Sequence, residues 1–362
     1  MKIMQLLYYP GQGGAEQYAY LLAKGAISEN NEVIFVFSEE GPLVKRVQKL
    51  GCRVIFVKMR SPFDPLAIKK LVKIFKEEKP DVVQTHFLRE NFLAISATKF
   101  APVGVIFSTV HRIEPKTEIQ ARFNKLYSSG LTKFIAASDL SKDYLVSEGV
   151  NRHKIVIIPN GAEIIKFNKE KIKKELNIRN EVVFSYVGRF TAEKGHRILL
   201  KAFKSLNLKN AKLILVGDGE LKNSIEKYVK RLGLENTVIF TGGRDRGYEI
   251  IGISDFYIQP SVIENMPISV VEAMLQKIPI IASGNEAHRL LLKEGSLGRL
   301  FKNKSDRDLT KEIKEALKDR KDSEKRAANA YKYAKERFTA EVMWTKTKTL
   351  YEHALKLSAF KK

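Results

Sequence analysis

Short runs of β-branched and other apolar residues recur along the chain, spaced widely enough for a crossover helix between successive runs. They fall at Ile3 to Tyr9, Glu32 to Phe37, Arg53 to Val57, Asp81 to Thr85, Val103 to Val110, Lys133 to Ala137 and Ile155 to Ile158. Strands buried on both faces read as near-continuous apolar runs, so this pattern predicts a parallel sheet covered by helices on both sides. It restarts with Val182 to Val187, Lys212 to Val216, Val238 to Thr241, Phe256 to Gln259 and Pro279 to Ala282, which predicts a second α/β domain. The boundary is expected in Ile165 to Lys171, where apolar alternation gives way to charge after Pro159-Asn160-Gly161. The chain then turns helical, with helices predicted over Asp308 to Leu317, Ser323 to Arg337 and Ala340 to Leu357. The expected division is 1–165, 166–339 and a terminal helix over 340–362.

Composition agrees with two globular domains, since 362 residues exceed one compact core and 44% are apolar. No apolar run is long enough to span a bilayer. A single cysteine, Cys52, cannot pair within the chain, and the amino terminus enters a strand without an export signal, which predicts a cytoplasmic protein. The net charge is +23, with 23 basic against 16 acidic residues through Glu163 and 41 against 25 beyond. Such an excess suits nucleic acid, an anionic membrane surface, or solubility alone. Nucleic acid is not expected as a partner, because the chain lacks an aromatic-basic RNA motif, zinc-finger spacing and a basic zipper.

The chemistry concentrates at predicted strand ends. Pro260-Ser261-Val262-Ile263-Glu264-Asn265-Met266-Pro267-Ile268-Ser269 leads from strand to helix, with Glu264 in the loop and Glu272 inside the helix. Pro267 lacks an N–H and fixes φ, so the helix is expected to start there and run from Ile268 to Gln276. Amides around Met266, Ile268 and Ser269, at the positive end of the helix dipole, form a seat for a diphosphate. Gly188-Arg189-Phe190-Thr191-Ala192-Glu193-Lys194-Gly195 closes another strand with two cations, Val216-Gly217-Asp218-Gly219 a third, and Gly13-Gly14-Ala15-Glu16 follows the first.

Taken in chain order, these segments resemble the retaining glycosyltransferases of family 4, including their two glutamates with seven residues between them. The resemblance runs from the first strand to Met274 and implies the GT-B fold. That fold has two Rossmann-like doubly wound parallel-sheet domains facing across a cleft, with a carboxyl-terminal helix crossing back to the first. It implies a nucleotide-sugar donor bound without a metal cofactor: Arg189 and Lys194 on the leaving diphosphate, Glu264 on donor-sugar hydroxyls and Glu272 on ribose hydroxyls. Gly13, Gly14 and Gly188 allow close backbone approach, Met266 to Ser269 supply donors, and Arg244 approaches the base. His111 matches a position near the donor sugar, with a positioning role rather than that of a general base.

The implied activity is transfer of a hexosyl unit from a UDP- or GDP-sugar to a growing cell-surface glycan such as lipopolysaccharide, capsule or glycolipid. Another GT-B enzyme, such as a nucleotide-sugar epimerase, is the alternative. Three positions depart from the family: Arg112 stands where an acid commonly follows the histidine, Asn265 where glycine is usual, and Ala282 to His288 is shorter and poorer in glycine. Asn265 is expected to adopt a positive φ in glycine's place. Asp218 reads as a turn former. Asp306-Arg307-Asp308 reads as a helix start after Ser305 rather than a metal motif. His153, His196, His288 and His353 lack ligand spacing, and only His86, at its strand end, merits testing. Pro65 to Lys76 and Ala121 to Tyr127 read as crossover helices whose lysine faces could meet an anionic membrane at a lipid-linked acceptor.

Overall fold

The computed structural model describes residues 1–111, 125, 127–243 and 247–360. The chain divides into two compact units, Met1–Gly161 with Ala340–Lys362, and Ala162–Thr339.

The first unit is built on seven strands: β1 Lys2–Leu6, β2 Glu32–Phe37, β3 Arg53–Phe56, β4 Val82–Thr85, β5 Val105–Val110, β6 Lys133–Ala136 and β7 Ile155–Ile157. They lie in the order β3-β2-β1-β4-β5-β6-β7, every neighbouring pair parallel. The order reverses between β1 and β4, and in such sheets ligands gather beyond the carboxyl ends at that point. Pro65–Glu78 shows how sequence sets the crossovers. Asp64 caps it, accepting from the Leu66 and Ala67 amides, and Pro65 takes the first turn where no donor is missed. Ala67, Leu71, Ile74 and Phe75 face the core.

The second unit holds six parallel strands, β8 Val182–Val187, β9 Ala211–Val216, β10 Val238–Gly242, β11 Phe256–Gln259, β12 Ile280–Ser283 and β13 Arg299–Phe301. Their order is β10-β9-β8-β11-β12-β13, reversing between β8 and β11. The edge strand β13 was not predicted, because three residues make no periodic run. Helices Asp306–Lys318 and Arg320–Arg337 follow it, each begun by a side-chain cap, Ser305 and Asp319.

The terminal helix Ala340–Ala359 belongs to the first unit. Its Met343, Trp344, Tyr351 and Ala354 join Tyr18, Leu21, Leu22 and Phe107 in one buried cluster. The Trp344 indole N–H donates to Glu29 at 2.9 Å, and Lys348 pairs with the same carboxylate at 2.6 Å. Gly25 lets the helices approach closely, since a Cβ there would sit 2.5 Å from Trp344 Cγ. Gly25→Ala should therefore cost about 1–3 kcal/mol by overpacking, although alanine is the better helix former. A urea midpoint unchanged or raised would show that Trp344 can yield. None of the described helices is long and apolar enough to cross a membrane.

Candidate active site

In the second unit, the carboxyl-terminal ends of three strands, β8, β11 and β12, converge on Glu264. It follows β11, and its Oε1 accepts from Lys194 Nζ at 2.5 Å, the lysine coming from the loop after β8. Both side chains are largely buried. The same oxygen accepts from Gln259 Nε2 at 2.9 Å, and that amide also donates to Ser261 Oγ at 3.1 Å. Tyr257 OH donates to Gln259 Oε1 at 2.5 Å, and Ser269 hydrogen-bonds the phenol. A continuous polar chain thus runs from Lys194 through Glu264, Gln259 and Tyr257 to the first turn of Ile268–Leu275. Burial works to raise the Glu264 carboxyl, but the charge and hydrogen bond of Lys194, with Ser261 adding, bring it below the ordinary carboxylate value.

Behind this chain, His288 Nδ1 lies 2.8 Å from the Ser283 carbonyl and 3.1 Å from its hydroxyl, while Asn285 donates to the Ser261 carbonyl at 2.9 Å. The carbonyl requires hydrogen on Nδ1, which leaves the lone pair on Nε2, buried and without a hydrogen-bond partner. Burial keeps this imidazole neutral against the pull of Glu264.

The helix Ile268–Leu275 has no side-chain cap, so its first amides are available to an anion. Pro267 is its N-cap, with φ −73° and ψ 115°, rather than its first helical residue, and Leu275 rather than Gln276 is the last. One-residue shifts of this kind arise because the terminal hydrogen bonds fray. Met266 and Pro267 are buried and Ile268 and Ser269 partly so. Glu272 lies one turn along, and burial alone pushes its carboxyl up to about 8. Arg189 reaches Glu193 at 3.7 Å and is half exposed, while the Gly188 amide donates to Val216 O at 3.0 Å.

Asn265 is absent from the residues with left-handed backbone, so the positive φ expected of it is not used. Asp218 shapes its turn, accepting from the Gly219 amide at 2.8 Å. Asp308 accepts from the Lys302 amide while its own amide donates to Ser305 Oγ at 3.1 Å, the geometry of a helix start. Among the described residues no three His, Cys, Asp or Glu side chains are grouped to hold a metal. Arg244 and Arg112 lie outside the described residues.

In the first unit, Gly13 is the N-cap of Gly14–Ser28, and a Cβ on it would meet Glu16 Oε2 at 2.6 Å. His111 follows β5 and lies against His86, which follows β4, with Gln5 of β1 behind them. Glu90 is wholly buried, accepts from the Tyr8 amide at 2.6 Å and has its carboxyl pushed up to about 7 by burial. Gln5, Glu90, Gln259, Tyr257 and His288 had no place in the sequence-based site. The signal available for the two glutamines is a single amide near the end of an otherwise apolar strand.

Residues 12–164 match the family described as Glycosyltransferase Family 4, and residues 168–336 match Glycosyl transferases group 1. The chain belongs to glycosyltransferase family 4. This transferase is 26% identical to the UDP-Gal:alpha-D-GlcNAc-diphosphoundecaprenol alpha-1,3-galactosyltransferase of Escherichia coli, over 81% of its own length and 82% of the relative's. It is 27% identical to the alpha-monoglucosyldiacylglycerol synthase of Streptococcus pneumoniae, over 86% and 76%. Anabaena HepE, solved in complex with UDP and glucose, superposes with a TM-score of 0.86 at 22% identity, covering 97% of this chain and 99% of that one. A likeness at that identity establishes the common GT-B fold of the transferase.

Proposed function

We propose that this transferase moves a hexosyl unit, with retention at the anomeric carbon, from a UDP- or GDP-sugar to a lipid-linked or surface glycan. The reading is carried by the Lys194–Glu264 pair beside an uncapped helix amino terminus, with Glu272 one turn beyond. An ammonium has three donors, so Lys194 can keep Glu264 and still reach a phosphate oxygen. Lys194, Arg189 and the amides of Ile268 and Ser269 then stabilise charge that grows on the leaving diphosphate, without a metal. Glu264 takes sugar hydroxyls, Glu272 the ribose pair, and His111 positions the transferred sugar. Departing phosphate oxygen removes the acceptor proton on the face where the new bond forms. The E. coli relative, by name, acts on a diphosphoundecaprenol-linked sugar and the S. pneumoniae relative makes a glucosyldiacylglycerol, which supports an acceptor that carries lipid.

The test is thermal shift with UDP-, GDP-, ADP- and dTDP-sugars, since a ligand stabilises the native state according to its occupancy. Turnover of the best donor follows, with the product's anomeric configuration read by NMR. An inverted product ends the retention claim, and donor conversion without acceptor makes the protein an epimerase instead.

A membrane-bound acceptor also gives Pro65–Glu78 a use. Its outer face carries exposed Lys69, Lys70, Lys73 and Lys76, and Phe63 and Leu66 are exposed at its start. Each lysine near an anionic leaflet contributes about 1 kcal/mol, so Lys69→Ala or Lys73→Ala should weaken vesicle binding about fivefold each at low salt. Sedimentation that ignores anionic lipid content would remove the membrane from the proposal.

A further inference from the structure

Gln5, His86 and His111 stand at the carboxyl ends of three adjacent strands and form one hydrogen-bonded line. Gln5 Oε1 lies 2.7 Å from His86 Nε2, and His86 Nδ1 lies 3.0 Å from His111 Nε2. The two rings are 15° from parallel with centroids 5.2 Å apart, longer than the N···N contact by about one ring width. They therefore meet edge to edge through that bond. Tyr18 packs edge-on against both, at 6.1 Å from His86 and 5.1 Å from His111.

An amide oxygen only accepts, so His86 Nε2 carries hydrogen. Burial holds His86 well below the ordinary histidine value, so the ring is neutral and has that one N–H. Its Nδ1 must then accept, and the hydrogen between the rings belongs to His111.

We infer that Gln5 and His86 are positioning residues that fix the tautomer and plane of His111, placing its hydrogen on Nε2. The inference rests on the reading that His111 positions the transferred sugar. With hydrogen held on Nε2, a neutral His111 carries its lone pair on Nδ1, the tautomer that accepts rather than donates at that nitrogen. A second proton would enter at Nδ1, where it makes a cation whose other N–H stays bound to His86.

Nitrogen-15 NMR of the histidine-labelled full chain at neutral pH reads the tautomers directly. Both His86 and His111 should be protonated on Nε2. Gln5→Glu sets a carboxylate against His86 Nε2, which charges that ring; its Nδ1 then donates and His111 should switch to Nδ1–H. Turnover should fall about tenfold in kcat, the equivalent of one hydrogen bond, with donor KM within about twofold. A wild-type His111 protonated on Nδ1, or a tautomer indifferent to Gln5→Glu, overturns the inference. His111→Ala separates the two layers: wild-type turnover in that variant defeats the reading of His111, while the spectra still decide whether Gln5 and His86 set its tautomer.

Discussion

Lys194→Ala should cost this transferase both its activity and part of its stability, and the two losses should respond differently to pH. In the role proposed for Lys194, removing one cation from charge that develops in the transition state should lower kcat about 100- to 1000-fold. The stability loss comes from Glu264, which stays largely buried with Gln259 and Ser261 as its remaining partners. Stranding one member of a buried pair is strongly destabilising, about 2–3 kcal/mol here because both side chains retain some solvent contact.

The pH trend follows from the balance at Glu264. In the wild type its pKa is lowered, so the pair's contribution is present above the ordinary carboxylate range and is lost as pH falls through the folded value. Without Lys194 burial dominates, the folded pKa rises above the unfolded one, and the variant gains stability as the carboxyl takes up a proton. Its deficit relative to wild type should therefore narrow on acidification toward pH 5. A deficit that is constant or grows, in denaturant unfolding across that range, would mean the pair contributes nothing as a pair. Glu264→Gln with Lys194→Ala should recover much of the stability and none of the turnover.

That pair was beyond the reach of sequence. Lys194 and Glu264 are separated by 70 positions, and their contact arises because β8 and β11 are neighbours where strand order reverses. Each was legible singly, as a strand-end cation and a loop acid, but their shared bond belongs to the tertiary structure. The sheets themselves were legible. Glu32–Phe37 and Val182–Val187 match the apolar runs residue for residue, because central parallel strands are buried on both faces and show no polar alternation. Where a strand is three residues long at a sheet edge, as Arg299–Phe301 is, no period exists to read. Gln5, Gln84 and Gln259 mark a middle case. Each interrupts an apolar strand near its carboxyl end, and each is now in a buried hydrogen-bonded network, since an amide can enter a core only with partners.

Glu272 yields the second large expectation, in the pH dependence of donor binding. Its carboxyl is raised to about 8 by burial, so below that pH the unliganded protein holds it protonated. On the proposed reading Glu272 accepts from two ribose hydroxyls, which requires the carboxylate, so the proton must leave as the nucleotide enters. Affinity for a nucleotide-sugar, whose diphosphate diester does not ionise in this range, should rise about tenfold per pH unit from 6 and level off near 8. Glu272→Gln should bind more weakly and lose that slope.

Stability without ligand moves the other way. A folded pKa above the unfolded one contributes stability that is complete below the ordinary carboxylate value and is lost as pH rises to about 8. Glu272→Gln should remove a loss of about 2 kcal/mol over that window, allowing for the side chain's partial exposure. Glu90, raised to about 7, contributes a slope of the same sign that remains in the variant. Calorimetry in buffers of different ionisation enthalpy counts the released proton directly. Affinity that is flat from pH 6 to pH 9, with no proton released, would separate Glu272 from the nucleotide and leave it a buried helix residue.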